Sequence, residues 1–379
     1  MLYGDGIHDD TPALQTLLDK REIYVKFPPP KVCYMISAPL LIHSNQQLEL
    51  DRFCHIKLMP DSNCVMLQNY DTENGDKNIT VTGGVWDFNN LEQAKNPIHF
   101  PFPNATNIFM PHHLNVYTGT VISFYNVKNL TLSHFTVKDP TTFAVTLNIV
   151  ENFTVEDITF DFNYGNPAAV NMDGIHLCGN CKFGVIRNIK GSCYDDMIAL
   201  NADEGTPGPI TDIQIDGLFS DDCHSAVRLL SADYPVERVN ISNVYGSYYQ
   251  YCIGITKYYE GDNGYFDAIV LKNIFASKAE FKPVYSLHGN VYTSWYPYIW
   301  VQSGLRVKNL SISEVYRKEK IGNVPTIQID ENVVIENLTL HNIVMENLLA
   351  DPVPLIINKG VIETCQTSGL RNSKGEIMI

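Results

Sequence analysis

Apolar and polar residues alternate along this chain in short bursts, and one burst recurs almost from end to end. Its form is an apolar residue, a small or polar one, a second apolar one, two polar ones and a third apolar one. Leu130-Thr-Leu132-Ser-His-Phe135 and Phe153-Thr-Val155-Glu-Asp-Ile158 are two copies. Ile213-Gln-Ile215-Asp-Gly-Leu218, Val239-Asn-Ile241-Ser-Asn-Val244 and Ile269-Val-Leu271-Lys-Asn-Ile274 are three more. Leu310-Ser-Ile312-Ser-Glu-Val315 and Leu338-Thr-Leu340-His-Asn-Ile343 complete the run, with partial copies at Ile79-Thr-Val81 and Val185-Ile186-Arg-Asn-Ile189. Alternation at period two over three or four residues marks a short, half-buried strand. The Asn or Asp that follows tolerates the turn conformations that swing a chain onto a new face.

The second apolar position of each copy falls at 81, 132, 155, 186, 215, 241, 271, 312 and 340, so most steps lie between 23 and 31 residues. The step of 51 hides either two coils or one long insertion. One strand phrase per repeat, with no helical periodicity, predicts an all-β, single-stranded parallel β-solenoid whose coils bury their apolar side chains against each other. The core is then one stack, which predicts a single domain over 1–379: a cap region over 1–25, coils from about 26 to 350, and C-terminal strands or a cap over about 351–379. An open solenoid end exposes strand-edge groups. Asp10 to Asp19 suits an N-terminal cap helix, with Thr11 as N-cap, Pro12 at the first helical position, and Ala13, Leu14, Leu17 and Leu18 as its apolar stripe. Several phrases begin Asn-x-Thr or Asn-x-Ser, the glycosylation acceptor pattern, but Asn at a repeating bend accounts for them.

Composition narrows the function. Of 379 residues, 45% are hydrophobic and 18% charged, which excludes a disordered chain. The net charge of −15 repels phosphate backbones, so no nucleic-acid partner is expected. No apolar run reaches the ~18 residues of a membrane helix, so no membrane partner is expected either. Nine cysteines, an odd number, read as mostly buried thiols rather than a disulfide framework. Cys178-Gly-Asn-Cys181 is half a zinc signature without a matching second half, and no metal or other cofactor is expected. The cysteines, and the lack of a basic n-region and apolar h-region in Met1 to Asp10, favour the cytoplasm over secretion with a signal removed.

Candidate chemistry gathers in the middle. Asp195 and Asp196 lie 22 and 23 residues after Asp173, each near one coil, so the solenoid brings all three carboxylates into one patch. Clustered carboxylates repel, so at least one keeps its proton, and an Asn replacement at any of them is expected to relieve strain. A protonated acid beside ionised ones suits glycosidic cleavage: one donates to the leaving oxygen while another activates water. Tyrosine is abundant around residues 248–259 and 292–298, and such flat amphipathic rings stack on sugars.

The opening Gly4-Asp-Gly-Ile-His-Asp-Asp-Thr-Pro-Ala-Leu-Gln15 resembles the amino-terminal segment of pectinase-type right-handed parallel β-helix proteins. Asn171-Met-Asp173-Gly resembles the "NTDG" motif of glycoside hydrolase family 28, the polygalacturonase family, and Tyr194-Asp195-Asp196-Met-Ile-Ala-Leu200 resembles its "GDDCIAI". His224-Ser225 stands where that family has "GHG", and Ile255-Thr-Lys257 where it has "RIK". The resemblance implies a right-handed helix and an inverting glycoside hydrolase acting on a carbohydrate. Asp195 would be its general acid, Asp173 and Asp196 would hold and deprotonate water, and His224 would tune the acid. Lys257 would bind substrate, with His176, Arg228 and Tyr292 as further substrate-binding candidates. Ile255 replaces the family's Arg, which puts galacturonate specificity in doubt, and Arg228 could supply the guanidinium from the neighbouring strand. A uronate lyase or epimerase of the same fold, or a non-catalytic glycan-binding spike, are the competing readings.

Overall fold

In the computed structural model, which describes residues 1–100, 116–279 and 296–377, the chain winds into a parallel β-helix. Among the described residues every strand pairing is parallel, and each strand away from the two ends pairs with its counterparts one coil before and one coil after. Long strands such as Lys182–Ser192, Ile210–Cys223 and Val236–Tyr248 build one stack. Short strands build another: Ile175–Leu177, Asp196–Asn201, Ser225–Leu230, Ile253–Thr256 and Ile299–Val301. Parallel strands joined within one sheet take the right-handed connection.

The recurring phrase owes its spacing to two columns of left-handed residues. Asn129, Asn152, Phe183, Asp212, Arg238 and Ala268 have φ between 52° and 61° immediately before the first apolar position. His134, Asp157, Asn188, Gly217, Asn243 and Asn273 have positive φ immediately before the third. Asn and Asp tolerate this region better than other L-residues, and their amides link the coils. Asn129 Nδ2 donates to Asn78 Oδ1 at 2.8 Å, and Asn78 Nδ2 to Asn45 Oδ1 at 2.7 Å. The apolar positions meanwhile stack inward in a continuous core, as in the column Val155, Ile186, Ile215, Ile241, Leu271, Ile312 and Leu340.

The degenerate copy at 185–189 has a steric origin. Gly184 occupies its first apolar position, and a Cβ there would lie 2.1 Å from the Phe153 ring of the preceding coil. One oversized side chain fills the space of two. The step of 51 is one insertion, because Val81 pairs directly with Leu132. The step of 41 is another, because Leu271 pairs directly with Ile312.

The cap helix runs Thr11–Asp19 and buries Leu14 and Leu18 on the first coils. Its N-cap is Asp10 rather than Thr11. The Asp10 carboxylate accepts from the backbone N–H groups of Tyr3 and Gly4 and makes no capping bond. At the other end, strand Val361–Ser368 puts Cys365 and Thr367 in register with core residues Leu338 and Leu340, and its surface is exposed. No described helix is long and apolar enough to cross a membrane.

Coil-to-coil contact is tightest at Gly246, whose φ is +117° and where a Cβ would sit 1.6 Å from the Ser220 carbonyl oxygen. Gly246→Ala is expected to cost about 3 kcal/mol or more, because backbone rather than a flexible side chain must move. A lowered urea midpoint with an unchanged slope would register it.

Candidate active site

The acids sit where the chain enters the stack of short strands. Asp173 lies two residues before Ile175–Leu177, Asp196 opens Asp196–Asn201, His224 precedes Ser225–Leu230, and Tyr251 precedes Ile253–Thr256. Backbone bonds fix this entry: Gly174 N–H donates to the Asp196 carbonyl at 2.9 Å, and His224 N–H to the Cys193 carbonyl at 3.2 Å. Glycine is needed after Asp173, since a Cβ on Gly174 would lie 2.4 Å from the Phe160 ring and 2.5 Å from the Met197 carbonyl. Thus the Asp-Gly pair read as a motif is also a packing requirement.

The three carboxylates have different surroundings. Asp195 keeps 18% of its side chain exposed, and its Oδ1 lies 3.4 Å from His224 Nδ1. Burial, reinforced by the charges of Asp173 and Asp196, pushes its carboxyl well above the ordinary range. Asp196 is fully buried, with Arg228 Nε 2.7 Å from Oδ2. The Ser225 hydroxyl donates to its Oδ1, and so does Tyr251, at 3.2 Å. Burial raises Asp196 to about 6 despite the nearby guanidinium. Asp173 is also fully buried: Oδ2 lies 2.6 Å from His176 Nδ1, and Oδ1 has no hydrogen-bond partner among the described residues.

The predicted site residues divide into groups. Asp173, Asp195, Asp196, His224 and Arg228 come together as one cluster. Arg228 is the internal counter-ion of Asp196, and its guanidinium also lies 5.5 Å from the centre of the Tyr258 ring. His176 is 1% exposed with carboxylates at both ring nitrogens, so it sits behind Asp173 and not on a substrate-facing surface. Half-buried Lys257 donates from its ammonium to the carbonyl of Gly261, within its own loop. Tyr292 lies outside the described residues.

The "RIK" correspondence places its Arg at a position that faces the core. Ile255 is fully buried, in register with Leu229 and Val301. In the alternate position of that coil stands Gly254, in register with Arg228 and Trp300, where a Cβ would lie 2.8 Å from the Tyr251 ring. Neither position in this coil carries a guanidinium; the one in register is Arg228 in the preceding coil.

Sequence reasoning missed Glu204. It is buried, with Oε2 2.9 Å from His176 Nε2 and 2.7 Å from Asn201 Nδ2, and Oε1 accepts from Tyr259 at 2.6 Å. Burial opposes its ionisation, but the His176 contact outweighs that and holds it down at about 2. Its only sequence signal was its place one turn beyond the Asp195-Asp196 strand.

The rings divide as well. Tyr248, Tyr249, Tyr251 and Tyr298 are buried, while Tyr258 and Tyr259 are exposed. Tyr296 packs 5.1 Å from Trp300, centre to centre.

One donor atom each from Asp195, Asp196 and His224 lie within 4.8 Å of one another, a set that could hold a cation. The guanidinium on Asp196 competes with a metal for that carboxylate. Seven of the nine cysteines are buried, and all nine are free thiols; Cys193 N–H points at Cys223 Sγ, 3.3 Å away.

No family model matches the chain, and no curated protein is similar to it in sequence. Solved structures do share its fold. The surface adhesin PfbA of Streptococcus pneumoniae superposes with a TM-score of 0.59 at 14% identity, over 97% of this chain and 90% of its own. A Family 28 exopolygalacturonase of Yersinia enterocolitica gives 0.56 at 15%, over 100% and 78%. The A-module of a mannuronan C-5 epimerase from Azotobacter vinelandii gives 0.55 at 13%, over 98% and 97%. At these identities the likeness is one of fold: a right-handed parallel β-helix.

Proposed function

We propose that the chain is a glycoside hydrolase that cleaves a carbohydrate by direct, inverting attack of water. The observation that carries this reading is one partly exposed carboxyl, its proton affinity raised by burial, beside two buried ones, Asp173 against His176 and Asp196 against Arg228. Asp195 gives its proton to the glycosidic oxygen as the bond to the anomeric carbon breaks. Water attacks that carbon from the opposite side, and Asp173, with Asp196 beside it, takes the water's proton. His224, against Asp195, orients the acid. The fold shared with an exopolygalacturonase supports the class, while the adhesin and the epimerase show that fold does not fix activity.

The charges favour an uncharged substrate. Ile255 stands where the resemblance puts the carboxylate-binding Arg, its possible substitute Arg228 is engaged with Asp196, and Lys257 is engaged with a carbonyl. Neutral or sparsely uronic glycosides are expected to be hydrolysed faster than polygalacturonate. A panel of polysaccharides and oligosaccharides read by reducing ends tests this. Fast turnover of unmodified polygalacturonate would overturn the substrate assignment. An unsaturated, ultraviolet-absorbing product would replace the hydrolase with a lyase.

A further inference from the structure

Behind Asp173 a line of polar groups leads away from the acids. The Tyr259 hydroxyl donates to Glu204 Oε1 at 2.6 Å, Glu204 Oε2 lies 2.9 Å from His176 Nε2, and His176 Nδ1 lies 2.6 Å from Asp173 Oδ2. Phe143 stacks on the imidazole, 4.1 Å between centres and 20° between planes, which fixes the ring's plane. A neutral imidazole has one N–H and one lone pair, so facing two carboxylates it would turn its lone pair toward one of them. The doubly protonated ring donates from Nδ1 to Asp173 and places its positive charge against both carboxylates. Besides these two carboxylates, the charged and titratable groups around the ring are Cys178 just past its own strand, Asp195 one coil on and Arg228 two coils on.

We infer that Glu204 is a positioning residue: it keeps His176 doubly protonated, and that imidazolium clamps Asp173 by Oδ2 so that the buried Oδ1 is the oxygen left to take the water's proton. Glu204 touches no substrate in this arrangement. Two buried features converge on the assignment. Oδ1 is the Asp173 atom with no hydrogen-bond partner among the described residues, and Asn201 gives Glu204 a further donor that holds it ionised in place. The raised proton affinity of His176, where burial is outweighed by its contacts with Asp173, Cys178 and Glu204, agrees with the geometry. The role given to Asp173 rests on the hydrolase reading; the charge state of His176 does not.

Nitrogen-15 spectra of histidine-labelled protein, with His176 assigned through His176→Gln, read the ring directly. In the wild type both ring nitrogens are expected to carry protons at pH 7 and above. In Glu204→Gln the amide can still contact Nε2, but the ring is expected to lose one proton at neutral pH. A singly protonated ring in the wild type overturns the proposal, and this measurement needs no variant at the Glu204 position to fold. On a glycoside that the wild type hydrolyses, Glu204→Gln is expected to lower kcat about 10–100-fold, part of the ~10²–10⁴-fold a general base supplies, with KM nearly unchanged. The acidic limb of its pH–rate profile should move up by about one unit, as removal of one neighbouring charge would do. Loss of the ring proton with kcat and the acidic limb unmoved overturns the positioning role. A doubly protonated ring in a wild type inert toward every glycoside leaves the charge state standing and removes the hydrolase reading, and the role of Glu204 with it.

Discussion

Asp195→Asn is expected to cut turnover about 10²–10⁴-fold, the range for a general acid, while leaving the melting temperature unchanged or higher. The stability half follows from proton linkage. Asp195 and Asp196 hold protons in the folded state, Asp196 to about pH 6, that the unfolded chain releases near pH 4. Their stabilising contribution is complete below about pH 4 and drains away as pH rises through the folded values. Glu204, held down at about 2, works oppositely: its contribution is present above about pH 4.3 and is lost toward pH 2. The melting temperature should therefore peak at mildly acid pH and fall toward pH 8, less steeply in Asp195→Asn. Asp173→Asn and Asp196→Asn should cut turnover over the same range, but both should destabilise. The expectation of relieved repulsion at all three sites overlooks that His176 and Arg228 would each lose a buried counter-charge. Early-time proton NMR of the product gives an independent check, because direct water attack inverts the anomeric centre. A retained anomer would sink the assignment even with all three variants inactive.

The second large effect concerns Arg228. Arg228→Met should cost about 3–5 kcal/mol of stability, because it leaves the buried Asp196 carboxylate without its cation. Arg228→Met combined with Asp196→Asn should recover a large part of that loss, since the charges are removed together. Chemical denaturation of the two single variants and the double variant measures the coupling. A stable Arg228→Met protein with only weakened substrate binding would instead make Arg228 a substrate ligand.

The repeat was legible because its physics is local. An inward apolar residue at every second position and a left-handed Asn or Asp at the bend, as in Val239-Asn-Ile241-Ser-Asn243, leave a signature in one short window. Gly184 blurred it, since its register depends on a ring from another coil. The carboxylate cluster was legible for the same reason: one coil of spacing maps sequence separation onto adjacency. Partners were not. That His176 is enclosed between two carboxylates, that Arg228 answers Asp196, and that Glu204 closes the line behind Asp173 all depend on side-chain direction at the strand ends, which spacing does not encode. Ile255 shows the same limit, because a one-residue shift in a strand exchanges inward for outward positions.

The connection entering the short-strand stack ranges from the single residue His224, between Cys223 and Ser225, to residues 88–121 ahead of Ile122–Ser133. Since Val81 still pairs with Leu132 across the longest of these, the added chain leaves the core register unchanged. Closing a longer loop costs little, about 0.6 kcal/mol per doubling of length. Evolution, or an engineer, can therefore lengthen or shorten the chain between coils while leaving the scaffold's own folding problem untouched.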